Sequence, residues 1–146
     1  MIKKMTCYHT EWIYYTSWLS IMSLWYALAR GHGDLAIVPA CVLFTSVNFW
    51  RDPKPGVRRV IDYACVNTAL GYQVVRSIRH GVLRVYIIPV SCAGASFLVS
   101  LCAFHAGQCG LFLAAHVLLH ILGNISNIVL YRAIDRVIRS SVGYQE

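Results

Sequence analysis

His116, His120, Asn124 and Asn127 follow one another at intervals of four, four and three residues near the end of the chain. At 100° per residue, helical geometry places them within about 80° of one another on a single side. Two imidazoles four residues apart can offer two nitrogens to one metal ion. Two carboxamides continue the same edge, while Val117, Leu118, Ile121, Leu122, Ile125 and Val129 cover the other faces. Polar groups in hydrocarbon are costly without partners, so this edge must face protein, water or a ligand. It serves either as hydrogen-bonding glue between helices or as half of a metal site whose further ligands come from Asp62, Ser46, Asn48 or Cys65. A polar interior stripe is also what a solute path requires.

Asp62 is the one carboxylate well inside an apolar run, three residues past Arg59. An acid in that setting is a functional candidate. It either pairs with the arginines of the preceding loop or meets the histidines of the last helix. That loop, Asn48 to Arg59, carries Arg51, Lys54, Arg58 and Arg59, with Pro53 and Pro55 to stiffen it and Gly56 to turn it. Its cations are expected to face lipid headgroups.

A Ser near the end of one helix, an Asp about 15 residues on and a His-x-x-x-His pair in the last helix resemble the CREST superfamily of membrane hydrolases, which includes the alkaline ceramidases. The resemblance rests on Ser46, Asp62, His116 and His120. It implies a seven-helix bundle in which three histidines hold zinc while Ser and Asp assist a water that hydrolyses a lipid amide. Under it, Ser46 and Asp62 are catalytic and His116 and His120 are metal ligands. The family's first histidine follows the Ser by four residues, and here that position is Trp50, which cannot ligate zinc. The chain is also two helices short of seven. The Asp62-Tyr63 pair is similar to the quinone-site residues of succinate dehydrogenase anchor subunits, but haem would need histidines from two helices, and the others available, His32, His80 and His105, sit near run ends. No Gly-rich phosphate loop, GxSxG elbow or HExxH motif is present.

The elements that must position these residues are written in the composition. With 58% hydrophobic and 13% charged residues over 146 positions and a mean hydropathy of +0.56, the chain is far more apolar than a soluble domain, in which about a quarter of residues are charged. The apolar segments fill the whole length, so residues 1–146 are expected to form a single integral membrane domain. Five runs stand out: Trp12 to Ala29, Leu35 to Trp50, Val60 to Val75, Val82 to Phe104 and Cys109 to Tyr131. About 20 residues span the hydrocarbon, so the last two are long enough, the first is adequate, and the second and third are short. Lys3, Lys4 and the triplet Ala27-Leu28-Ala29 also resemble a signal peptide with its cleavage site, although the Trp and Tyr content of the first run suits a retained span. Pro89 is expected to kink the fourth helix, and Ser91, Gly94, Ala95 and Ser96 to let a neighbour approach closely.

Charge in the flanks bears on topology. If all five runs cross, Lys and Arg divide six against seven between the two sides; if the third run lies in the interface, they divide twelve against one, with both termini cytoplasmic. The third run carries a polar strip of Asp62, Cys65, Ala69, Gln73 and Arg76, which suits either an interfacial helix or a bundle interior. The fold expected is therefore an all-α, polytopic transmembrane helical bundle of four or five spans.

The net charge of +7 lies in short loops between apolar runs, which fits anionic headgroups and argues against nucleic acid. The six cysteines show no CxxC pairing and predict neither a disulfide framework nor a zinc knuckle. The function that follows is a small multi-pass membrane protein, a non-enzymatic accessory or scaffold with an interior polar cluster that includes Asn124 and Asn127. Its partners are the bilayer and other membrane proteins; any small-molecule ligand and any cofactor are left unnamed. The alternative is a reduced, zinc-dependent lipid amide hydrolase of the CREST kind.

Overall fold

The computed structural model describes residues 10–142; Lys3, Lys4 and Cys7 lie outside the described residues. Within them the chain is helical from end to end: α1 (Glu11–Ser17), α2 (Ser20–Ala29), α3 (Gly33–Trp50), α4 (Val57–Arg79), α5 (Leu83–His105) and α6 (Cys109–Val142). The first apolar run is thus two helices, interrupted at Trp18 and Leu19. Three helices, α3, α5 and α6, are long and apolar enough to cross a membrane. α6 continues about three turns beyond the Tyr131 at which the apolar run stops, because Arg132, Asp135, Arg136 and Arg139 end the hydrophobic pattern without ending the helix.

Three of the connections are the same device. Gly31, Gly81 and Gly107 follow the C-caps of α2, α4 and α5 with φ of 74°, 69° and 78°. In each, the amide after the glycine bonds five residues back (His32 to Ala27, Val82 to Ser77, Gln108 to Ala103), and the glycine amide bonds three back. This left-handed closure satisfies the last carbonyls of each helix and reverses the chain in two or three residues.

The segments consequently run up and down, and two apolar clusters mark the ends of the bundle. At one end Ile13, Phe49, Trp50, Ala103 and Phe112 pack together. At the other, Ala27, Leu35, Ala36, Val82, Tyr86, Leu130, Tyr131 and Ile134 do so. Ala27, in the triplet that resembles a cleavage site, is fully buried there. α5 and α6 pair along their length through Ala93, Ser96, Ser100 and Ala103, small side chains at three- and four-residue spacing that let the backbones come close. This stripe is displaced from the one the sequence led us to expect: Ser96 belongs to it, whereas Ser91, Gly94 and Ala95 are exposed. α5 runs unbroken through Pro89.

The distribution of side chains is inverted relative to a water-soluble protein. Phe44, Trp25 and Ile88 are 75%, 71% and 68% exposed, while Ser17, Ser23, Ser46, Asp62, Gln73, Ser77, Ser100 and Ser126 are buried. α4 shows this most clearly, with Asp62, Gln73 and Ser77 turned inward and Val57, Val60, Val75 and Ile78 outward. Such an arrangement is stable where the surroundings are hydrocarbon and internal hydrogen bonds are the only ones available.

Candidate functional site

Between the two apolar clusters lies a cavity of about 290 Å³, enclosed by residues of α2 to α6. Its walls are mainly apolar, and the polar side chains the sequence singled out converge on it: Ser46, Asp62, His116, His120, Asn124 and Asn127 all line it. Ser46 and Asp62 come together because α3 and α4 are antiparallel neighbours about the 52–56 loop, and the Ser46 hydroxyl donates to Asp62 Oδ1 at 2.7 Å. Thr45 donates to the same oxygen at 2.9 Å.

Asp62 does not pair with the arginines that precede it. Arg58 is 3.0 Å from Asp52 and also donates to the Asn48 carbonyl. Arg59 lies over the Tyr63 ring, 5.2 Å from its centre, and donates to its hydroxyl. Lys54 is 3.2 Å from Asp52, and Arg51 is exposed. The loop therefore holds its own counter-ion, and the hydrogen bonds from Arg58 and Lys54 keep the Asp52 carboxyl below the usual range. Arg58, Arg59 and Lys54 are thus each engaged within the loop or by Tyr63.

The row on α6 divides in two. His116 shares a hydrogen bond of 3.0 Å between its Nδ1 and the Ser100 hydroxyl, and its ring meets Trp50 at 4.7 Å and His120 at 5.4 Å between centroids. His120 Nε2 is buried without a hydrogen-bond partner. The carboxamides, one and two turns on, are built into a network that ties four other helices to α6. Asn124 Oδ1 accepts from the Ser23 amide at 3.2 Å, in the first turn of α2. Gln73 donates to Asn127 Oδ1 at 2.8 Å, and the Tyr86 hydroxyl donates to Gln73 Oε1 at 2.8 Å. The Tyr131 hydroxyl reaches the Leu35 carbonyl at 3.2 Å.

No protein family, curated protein or solved structure matches this chain. Its chemistry is therefore judged on the donor set alone. Among the described residues no three His, Cys, Asp or Glu side chains are grouped so as to hold a metal ion. Trp50 meets His116 edge-on where a third ligand would stand, His116 Nδ1 is engaged by Ser100, and Asp62 Oδ1 is engaged by two hydroxyls. Asn48 gives its backbone carbonyl to Arg58 and does not line the cavity, and neither does Cys65. These residues do not fit a three-histidine zinc centre. Of the histidines considered for haem, His32 and His80 lie within electrostatic reach of each other, away from His116 and His120. His32 is 3.7 Å from Asp135 near the far end of α6, and His105 is exposed.

Sequence reasoning missed Gln73 as the hub of the network, together with Tyr86, Tyr131, Ser23 and Ser100. Gln73 was visible as a member of the α4 strip; the serines carried no signal, since an isolated Ser in an apolar run most often bonds its own helix. No disulfide framework was expected; Cys109 is disulfide-bonded, while Cys41, Cys65, Cys92 and Cys102 are free thiols.

Proposed function

We propose that this chain is a five-pass integral membrane protein without catalytic activity of its own, an accessory or scaffold whose helices are fixed by the interior network around Gln73. The observation that supports it is the orientation of α4. Its inward strip holds the buried Asp62, Gln73 and Ser77, Gln73 hydrogen-bonds to α5 and α6, and its exposed surface is mostly apolar (Val57, Val60, Ile61, Val66, Leu70, Val75 and Ile78), with Asn67 and Thr68 at mid-helix. A helix lying in the interface would do the opposite and turn that strip to the headgroups. The even division of Lys and Arg between the two faces sets no strong orientation and leaves it to partners or to the order of insertion.

Sidedness tests this. On a background with the free cysteines replaced by alanine, Lys54→Cys and Gln108→Cys should react from one side of sealed vesicles with an impermeant maleimide, and His80→Cys only from the other. Reaction of Lys54→Cys and His80→Cys from the same side would establish four passes and an interfacial α4.

A second reading, lipid amide hydrolysis of the CREST kind, draws on the meeting of Ser46, Asp62, His116 and His120 in one cavity. Against it stands Trp50 at the third-ligand position.

A further inference from the structure

Asp62 is 4% exposed and lines the cavity, yet among the described residues no Lys, Arg or His nitrogen pairs with it. Both hydroxyls that bond it use Oδ1. Oδ2 receives no hydrogen bond from the described residues. His120 Nε2, buried and without a partner, lines the same cavity. Asp62 and the unpartnered His120 nitrogen thus line one cavity, and among the described residues no cation sits with them.

The rest of the wall is apolar and aromatic. Trp50 and Phe97 flank the polar end, with Val66, Leu70, Val90 and Leu119 beyond. α4 and α5 touch at Tyr63 against Phe97, 6.3 Å between rings, and again at Tyr86 to Gln73. Between those contacts the lining residues Val66, Leu70 and Gly94 are exposed, so the cavity opens sideways between the two helices. A Cβ on Gly94 would meet nothing within 4 Å.

We propose that this cavity binds a single-chain lipophilic amine, entering between α4 and α5, with its ammonium group hydrogen-bonded to Asp62 Oδ2 and His120 Nε2 and its alkyl chain along the apolar wall. The ammonium brings the donors and the positive charge that the site lacks. It also gains from the aromatic faces of Trp50 and Phe97. A carboxylate head would add like charge beside Asp62, and an alcohol would supply one donor without charge. The volume lies at the lower end of ordinary small-molecule sites and admits one chain, not a two-chain lipid. The proposal rests on the membrane-embedded reading of the bundle.

The test uses Trp50 as reporter. Trp12, Trp18 and Trp25 are exposed and are replaced by Phe, and the protein is placed in zwitterionic nanodiscs. Twelve-carbon amine, alcohol and carboxylate probes, each brominated close to the head group, are compared at equal mole fraction in the bilayer. The amine should quench Trp50 saturably, half-saturating roughly tenfold or more below the alcohol, the worth of one charge-assisted hydrogen bond. Asp62→Asn should abolish that preference, and Gly94→Leu, which narrows the mouth, should weaken amine quenching. Quenching by none of the probes, equal quenching by all three, or an amine preference that survives Asp62→Asn would overturn the proposal. Maleimide sidedness measured on the same reporter protein separates that failure from failure of the five-pass reading.

Discussion

Gln73 donates to Asn127 at 2.8 Å across the interior of the bundle, joining the most polar of the long helices to the longest. The same amide accepts from Tyr86. One side chain on α4 therefore bonds both α5 and α6, and its loss should be felt by all three helices. In membranes such interhelical bonds average about 0.6 kcal/mol and reach about 1.7. Leaving the Tyr86 hydroxyl and Asn127 Oδ1 without their Gln73 partner adds the cost of unmet polar groups.

Gln73→Leu should accordingly destabilise the reconstituted protein by about 1–3 kcal/mol in denaturant titration. The Gln73→Leu, Asn127→Leu double variant should recover part of that loss, with a coupling of about 0.5–2 kcal/mol. Strict additivity would show that the two side chains do not meet.

Asp62 behaves differently from a salt-bridged acid. Because no cation of the described residues pairs with it, Asp62→Asn should leave stability unchanged or raise it, whereas Ser46→Ala should lower it by about 1 kcal/mol by withdrawing one of the two hydroxyls on Oδ1. A loss of several kcal/mol on Asp62→Asn would reveal a buried ion pair.

The left-handed glycines make a sharp contrast with the helical one. Gly81→Ala and Gly107→Ala force a Cβ into a positive φ and should each cost about 1–2 kcal/mol. Gly94→Ala, in open space within α5, should be neutral or stabilising by up to about 1 kcal/mol. Thermal unfolding in detergent is enough to rank the three.

Ala103 sits in the small stripe where α5 meets α6, 3% exposed and packed among Ile13, Phe49, Trp50 and Phe112. Ala103→Leu should push the pair apart and cost about 1–3 kcal/mol. Leu98→Ala, at a position 60% exposed, should cost less because most of that side chain lies outside protein contact.

Much of this was legible in the letters. The five apolar runs become the segments of the bundle, and the His and Asn edge of α6 is turned inward, because hydrocarbon leaves those groups nowhere else to go. The role of each residue on that edge was less legible. His116, Asn124 and Asn127 are bonded to Ser100, Ser23 and Gln73, and only Gln73 stood out beforehand, since a lone serine is common in an apolar helix. The partner of Asp62 was misjudged for a related reason. Proximity along the chain favoured Arg59, but at three residues' distance Arg59 turns to Tyr63, while Ser46, sixteen residues away, comes within reach once α3 and α4 fold against each other. The interruption at Trp18 and Leu19 had no signature of Gly or Pro.

The central claim, that α4 crosses the membrane with its polar strip against α6, is met most directly by cross-linking Gln73→Cys to Asn127→Cys in native membranes on a background without the free cysteines. The account predicts an oxidative cross-link as efficient as that of a Ser100→Cys, His116→Cys pair between α5 and α6, and none for Ile78→Cys with Ile121→Cys, both of which face outward. Absence of the first cross-link while the second forms would contradict it.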